Sequence, residues 1–179
     1  TSSPRRKSQI LNSRSDLKTL PVRGNIATRI DKLNLGTFDG LIVAKAALNR
    51  LNLQLPNAYE FTLEEMLPAA SQGFIAVECI KSNTEILNIL RQINDETALL
   101  LAEAERSFVA KLNGSCLSPI AIYCFEDKEI IHVVAKVLSQ DGQKKIYKKI
   151  ESCKAQLKED ILVLANDFIA QGSNSMILQ

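Results

Sequence analysis

The fold turns on residues 17–51, LKTLPVRGNIATRIDKLNLGTFDGLIVAKAALNRL. Residues 17–22 are short and apolar-leaning and stop before Arg23-Gly24-Asn25, a pattern that predicts a strand, a turn and the start of a helix. Asn25 is a good cap for a helix over 26–35, and Gly36 is placed to stop it. Residues 38–44 are nearly continuous in apolar side chains, as a buried parallel strand is, and 45–51 read as a second helix. Strand, helix, strand, helix in this order predicts an α/β sheet, in which ligands gather where strand ends enter helices.

Working outward, 52–62 is a connector and 63–67 a single helical turn before Pro68. A strand over 74–79 and a helix over 85–92 follow. The clearest helix spans 96–112, where Leu99, Leu100, Ala104, Phe108 and Leu112 recur at helical spacing, with Asn94 or Asp95 at the start and Gly114 just beyond the end. A second unit then opens with strands over 119–125 and 130–138 around Glu126-Asp127-Lys128. Asp141-Gly142 marks a further turn before 144–150, and 151–170 has the period of a closing helix. Strands covered by one helix make a small α+β module.

With 179 residues, 46% of them hydrophobic, the chain has the means to bury a core, which excludes wholesale disorder. Lys and Arg number 22 against 20 Asp and Glu, a net charge of only +2, so nothing global demands a polyanionic partner. The charge is unevenly spread: the first fifty residues hold ten basic and three acidic side chains, a net of +7, leaving −5 on the rest. That split points to a local anion site. Four widely spaced cysteines, Cys79, Cys116, Cys124 and Cys153, match neither a disulfide scaffold nor a structural zinc site and favour a reduced, cytoplasmic setting. No apolar run approaches the roughly 20 residues of a membrane span. The opening residues lack a secretory signal's apolar core and an initiating Met, which predicts a processed or partial product.

Arginine placement is the strongest chemical signal. Arg5 and Arg6 adjoin a Thr-Ser-Ser turn, Arg23 sits at an expected strand end, and Arg29 lies one helical turn after Asn25. Planar guanidinium groups converging there suit a ligand with several carboxylates, and a helix start reinforces an anion. A solvated basic face fits the same spacing, and nucleic-acid binding fits the charge but lacks interleaved aromatic residues. Cys116 follows Gly114-Ser115 on a loop between the units, where a thiol can act as a nucleophile or attachment point, although no base is evident beside it. Cys79, Cys124 and Cys153 read as packing residues. His132, the single histidine, reads as a side chain on a partly exposed sheet face, so no metal site or Ser/His/Asp triad is expected. Neither Glu64-Glu65 nor Glu103 with Glu105 is arranged as an opposed acid and base. The glycines form no GxGxxG or phosphate loop.

Several blocks, taken in order, resemble the porphobilinogen deaminase (hydroxymethylbilane synthase) family. They are Thr1-Ser2-Ser3-Pro4-Arg5-Arg6, Arg23-Gly24-Asn25 with Thr28-Arg29, Phe38-Asp39-Gly40 through Leu48-Asn49-Arg50-Leu51, and Leu67-Pro68-Ala69-Ala70-Ser71-Gln72-Gly73. Ala76-Val77-Glu78-Cys79, Glu103-Ala104-Glu105-Arg106 and Gly114-Ser115-Cys116-Leu117-Ser118-Pro119-Ile120 continue the series. The resemblance implies an enzyme that joins four porphobilinogen molecules head to tail, releasing ammonia, on a covalent dipyrromethane primer held by Cys116. It also implies that Ser3, Arg5, Arg6, Arg23 and Arg29 bind the cofactor and that Arg5, Arg23, Arg29 and Arg50 bind acidic groups of the substrate and growing polypyrrole.

By the same resemblance, residues 1–67 form most of an α/β, periplasmic-binding-protein-like second domain, 68–92 a segment returning to an incomplete first domain, and 93–179 the long helix and α+β cofactor-attachment domain. The family's N-terminal portion, with the aspartate that assists ammonia loss, has no counterpart before Thr1; Asp16, Asp31 and Asp39 do not take that role. The expected partner is therefore the missing N-terminal segment of the same enzyme, with no nucleic acid and no membrane. A noncatalytic polycarboxylate-binding module and a nucleic-acid-binding protein are the alternatives. Two departures stand out: Ser115 where the family usually has glycine, which a left-handed backbone would strain, and Ala121 in place of another glycine.

Overall fold

The computed structural model describes residues 1–177. Its elements in chain order are α1 (Pro4–Ser13), α2 (Ile26–Asn34), α3 (Lys45–Arg50), α4 (Thr84–Gln92), α5 (Glu96–Lys111), β1 (Ile120–Asp127), β2 (Ile130–Leu138), β3 (Lys145–Ser152), α6 (Leu157–Ala170) and α7 (Ser173–Ile177). The fold is mixed α/β, and the sheet among the described residues is a three-stranded antiparallel meander in the order β1-β2-β3.

The second half has the order of strands and helices its sequence pattern predicts, with the first turn at Lys128-Glu129 because Glu126 and Asp127, expected in the turn, pair with Ile131 and Ile130 as the end of β1. Lys128 and Glu129 both take positive φ, as a two-residue hairpin loop requires, and fix the β1–β2 register of Asp127 opposite Ile130 and Ile120 opposite Val137. Alternation then sends Ile122, Cys124, Ile131, Val133, Ala135, Val137 and Ile146 to one face, where they bury against Leu101, Ala104 and Phe108 of α5 and Ile161, Ala165 and Phe168 of α6. Phe108 and Phe168 meet edge to face at 5.2 Å between ring centroids. Asp95 caps α5, its Oδ1 accepting from the Ala98 N–H at 2.9 Å, and Asn113 closes the helix at φ 53°. The closing helix starts later than its periodicity predicts because β3 runs on to Ser152 before Gln156 begins α6.

The first half departs from expectation. The three helices α2, α3 and α4 form where predicted, with Asn25 and Asn83 capping the first and last. The strands expected over 17–22, 38–44 and 74–79 are irregular chain, so the predicted parallel sheet is not formed among the described residues. The physical reason is pairing: a strand exists only through its ladder partner, and these segments find none here. Val22 is held instead through Ser2, whose Oγ donates to the Val22 carbonyl at 2.7 Å and accepts from its N–H at 2.8 Å. No helix among the described residues is long and apolar enough to cross a membrane.

Candidate functional site

Ser3 opens the site. Its extended backbone and side chain cap α1, the Oγ accepting from the Arg6 N–H at 3.4 Å, with Pro4 preset for the first helical position. Arg5 and Arg6 therefore leave the first turn of one helix in different directions. Arg5 turns inward and is buried, donating Nη1 to the Leu67 carbonyl and Nη2 to Gln72 Oε1 at 3.4 Å. Arg6 remains half-exposed and donates to the Ile42 carbonyl at 3.2 Å. Arg29, from α2, donates Nε to the Gly24 carbonyl at 2.7 Å and lies close enough to Arg6 to repel it.

Electrostatics mark these three as a set. Burial, and then repulsion from Arg6, lowers the Arg5 guanidinium to about 10, and burial with repulsion from Arg29 lowers Arg6. Both stay charged at neutral pH, so the cluster holds cations at a cost that a bound anion would relieve. Among the described residues, none of Arg5, Arg6, Arg23, Arg29 and Arg50 forms an ion pair with a carboxylate. A hollow of about 230 Å³ beside the cap is lined by Ser2, Ser3, Pro4, Lys7, Thr19 and Gln140. Arg23 and Arg50 are exposed, and no side-chain hydrogen bond among the described residues ties them to the cluster.

Cys116 is exposed on a turn just beyond α5. Ser118 Oγ accepts from the Ser115 N–H and the Ser115 carbonyl accepts from the Ser118 N–H, both at 3.0 Å, while Ser115 Oγ accepts from the Leu117 N–H at 3.2 Å. The thiol thus stands on a braced loop. Ser115 is absent from the positive-φ residues, so its side chain is accommodated without left-handed strain. Gly114 sits against the core: an added Cβ would come within 2.3 Å of Ile120 Cδ1 and 3.2 Å of Val109 Cγ1, so the end of the Ile120 side chain would have to shift to admit it. Of the cysteines read as packing residues, Cys124 is buried and Cys79 partly so, but Cys153 is exposed, because β3 ends at Ser152 and leaves it in the loop before α6. All four are free thiols.

No hydrogen bond among the described residues joins Cys116 to α1. The two are linked through the turn over 68–73 and through Glu105, buried on α5. Its carboxylate accepts from the Ser71 N–H at 2.5 Å and the Cys124 N–H at 2.8 Å, while Ser71 Oγ donates to the Ala102 carbonyl at 3.1 Å. Burial raises the Glu105 carboxyl above its ordinary range against those two hydrogen bonds. In sequence Glu105 is visible as half of an unsuitable acid–base pair and as a member of the Glu103-Ala104-Glu105-Arg106 block; its structural role is signalled by its helical spacing from Leu101 and Phe108.

A second groove, of about 520 Å³, lies on the sheet's other face beside Phe125, His132, Lys149 and Glu151. Lys149 there pairs with Glu64, His132 Nδ1 lies 3.6 Å from a Glu151 carboxylate oxygen, and the His132 ring stacks on Phe125. Among the described residues no group of three His, Cys, Asp or Glu side chains is placed to hold a metal.

Comparison with known proteins bears on both halves. A family model described as "Porphobilinogen deaminase, dipyromethane cofactor binding domain" matches residues 1–88, and one described as "Porphobilinogen deaminase, C-terminal domain" matches residues 99–166. The porphobilinogen deaminase of Campylobacter hominis is 42% identical over 179 residues, covering 99% of this chain and 58% of the relative. That of Campylobacter jejuni subsp. jejuni is 40% identical with the same coverage, and that of Limosilactobacillus reuteri is 40% identical over 144 residues, 80% of this chain and 47% of the relative. The chain thus spans little more than half the length of the curated relatives it matches. These matches give no support to the polycarboxylate-module or nucleic-acid readings.

Proposed function

The chain belongs to the porphobilinogen deaminase family, and from that premise we propose that it forms part of an enzyme joining four porphobilinogen molecules into hydroxymethylbilane with release of ammonia. The observation that carries this reading to the chemistry is the convergence of Arg5, Arg6 and Arg29 on the capped start of α1 without a carboxylate partner. Porphobilinogen and the polypyrroles built from it are polycarboxylates, and charged, partly desolvated guanidinium groups recognise carboxylates by paired hydrogen bonds.

The residues present fit a covalently attached dipyrromethane: an exposed thiol, Cys116, on a braced loop and a separate set of unpaired cations for its acidic groups. When bound, that group supplies the primer end at which the product grows. Ser3 holds the first turn of α1, Arg5, Arg6, Arg23 and Arg29 bind acidic groups of primer and substrate, and Arg50 binds those of the substrate and lengthening chain. These arginines neutralise and orient; fixing the reacting partners replaces a free encounter by an oriented one. The proton-transferring aspartate belongs to the N-terminal segment of the same enzyme, the partner proposed here.

On this reading residues 1–67 are most of a periplasmic-binding-protein-like second domain, 68–92 return to the first domain, and 93–179 carry the cofactor. The apolar runs over 38–44 and 74–79 support it, since they have strand composition without a ladder partner among the described residues. Four free thiols support a cytoplasmic setting. The test is steady-state kinetics of the full-length enzyme with Arg6→Gln and Arg29→Gln. Each is expected to raise KM for porphobilinogen about tenfold or more, the loss of a charged hydrogen bond; an unchanged KM in both removes the reading's main support.

A further inference from the structure

Helix α1 carries Arg5 and Arg6 on its first turn, and its remaining length is seated on the C-terminal sheet at two points. The first is the β2–β3 turn. Gly142 there has φ +75°, and a Cβ added to it would lie 2.6 Å from both the Ser8 carbonyl oxygen and the Asn12 nitrogen of α1. Only a glycine lets the two backbones approach this closely. Asn12 Nδ2 completes the contact by donating to the Gly142 carbonyl at 2.8 Å. The turn itself is stiff: the Asp141 carboxylate accepts from Ser139 Oγ and from the Gln143 N–H at 3.0 Å, and Ser139 Oγ accepts from the Lys144 N–H at 2.9 Å.

The second point is Lys136, in the middle of β2 and only 6% exposed. Its Nζ donates to Gln9 Oε1 at 3.1 Å and to the Glu64 carbonyl at 2.7 Å. A lysine has donors and no acceptor, so it fixes which end of the Gln9 amide faces it. Gln9 Oε1 also accepts from the Leu67 N–H at 2.8 Å, and Nε2 is then turned to donate to the Leu67 carbonyl at 3.0 Å. That carbonyl is the one that receives Arg5 Nη1. A continuous polar path therefore runs from the centre of the sheet through Lys136, Gln9 and Leu67 to the Arg5 guanidinium.

We infer that Gly142, Lys136 and Gln9 are positioning residues: through them the unit that bears Cys116 sets the orientation of α1, and with it the aim of Arg5 and Arg6 at substrate carboxylates. The inference rests on the carboxylate-binding reading above. Cys116 and the arginines of α1 lie 110 or more positions apart in the chain, and α1 seated on the sheet is what holds them in register. Arg5, buried and bonded to a loop carbonyl, has its direction set by where that carbonyl stands. None of the three residues touches the substrate groups in this account; they act through the helix.

The test uses the full-length enzyme with Gly142→Ala, Lys136→Met and, as a control on the reading, Arg5→Gln. Lys136→Met keeps the apolar stem and removes a buried charge, so its thermal midpoint is expected to equal or exceed the parent's. Both positioning variants are expected to raise KM for porphobilinogen about fivefold with kcat held within about twofold. Both should also shift the Arg5 Nε–Hε resonance in a ¹H–¹⁵N spectrum recorded without substrate. A purely structural role for Lys136 predicts instead that a variant of undiminished stability keeps its KM and its Arg5 resonance, and that result overturns the inference. If KM is unmoved by Gly142→Ala and Lys136→Met while Arg5→Gln raises it, the inference falls and the carboxylate reading stands. If Arg5→Gln also leaves KM unchanged, both fall together.

Discussion

Lys136 stands in a strand whose other side chains, His132 apart, are apolar, and its titration is a measurable property of the fold. Burial, with added repulsion from Lys145 and a smaller opposing pull from Glu64, lowers it from its ordinary 10.5 to about 8. Between those values the unfolded chain keeps a proton that the folded chain has released, so this group makes stability rise with pH from about 8 to 10.5. The unfolding free energy of the parent relative to Lys136→Met, from urea titrations below about pH 8 and above about pH 10, is expected to move in the parent's favour at the higher pH. A difference independent of pH contradicts the buried, charged placement. Glu105 gives the complementary case. Glu105→Ala strands the Ser71 and Cys124 N–H groups without an acceptor, and a loss of about 3 kcal/mol is expected in the same assay. A loss below about 0.5 kcal/mol would mean that water or a neighbour takes the carboxylate's place.

Among the elements, the hairpins of residues 120–152 were legible because each strand's partner is its neighbour in sequence, and α5 and α6 because a helix closes its own backbone hydrogen bonds whatever it packs against. Lys128 and Glu129 turn β1 back on β2, the turn at Gly142 returns β3, and the apolar spacing in α5 and α6 identifies the faces that meet at Phe108 and Phe168. Phe108→Ala is expected to cost about 3–5 kcal/mol of stability by removing one side of that contact. The runs over 17–22, 38–44 and 74–79 read as strands with equal clarity yet remain irregular, since composition can specify a strand but not supply its ladder. Hydrogen exchange separates the two classes: amides of β2, paired on both sides, should be protected, and amides of the three irregular runs, apart from the buried and hydrogen-bonded Val22, should exchange at nearly unprotected rates. Protection of those runs in this chain alone would show that they pair. The site was partly legible by the same logic. Arginines beside a Thr-Ser-Ser turn are visible in sequence, whereas the helix which that turn caps is not, and the inward turn of Arg5 depends on Leu67 and Gln72, more than sixty residues away.

For the whole molecule, exposed large apolar side chains are spread along the described structure, and the segment that the domain reading assigns to the return into a first domain carries five of them, Ile75, Val77, Ile80, Ile86 and Ile89. Ile75 is 86% exposed, Ile80 75% and Val77 62%, and α4 buries none of its residues. Such a surface binds apolar dyes and invites a partner. The fluorescence of such a dye should fall when the N-terminal portion of a relative is added as a separate polypeptide, and fluorescence unchanged by that addition counts against the proposed domain division. The chain's 58% share of its Campylobacter relatives leaves room for that portion. The claim that unites the arginine cluster with the thiol is the covalent primer. It is tested most directly by denaturing intact mass spectrometry of the full-length protein beside its Cys116→Ser variant. The account predicts an adduct of dipyrromethane mass on the parent, mapped to Cys116 after proteolysis and absent from the variant. An unmodified parent, or an adduct that persists when Cys116 is replaced, contradicts it.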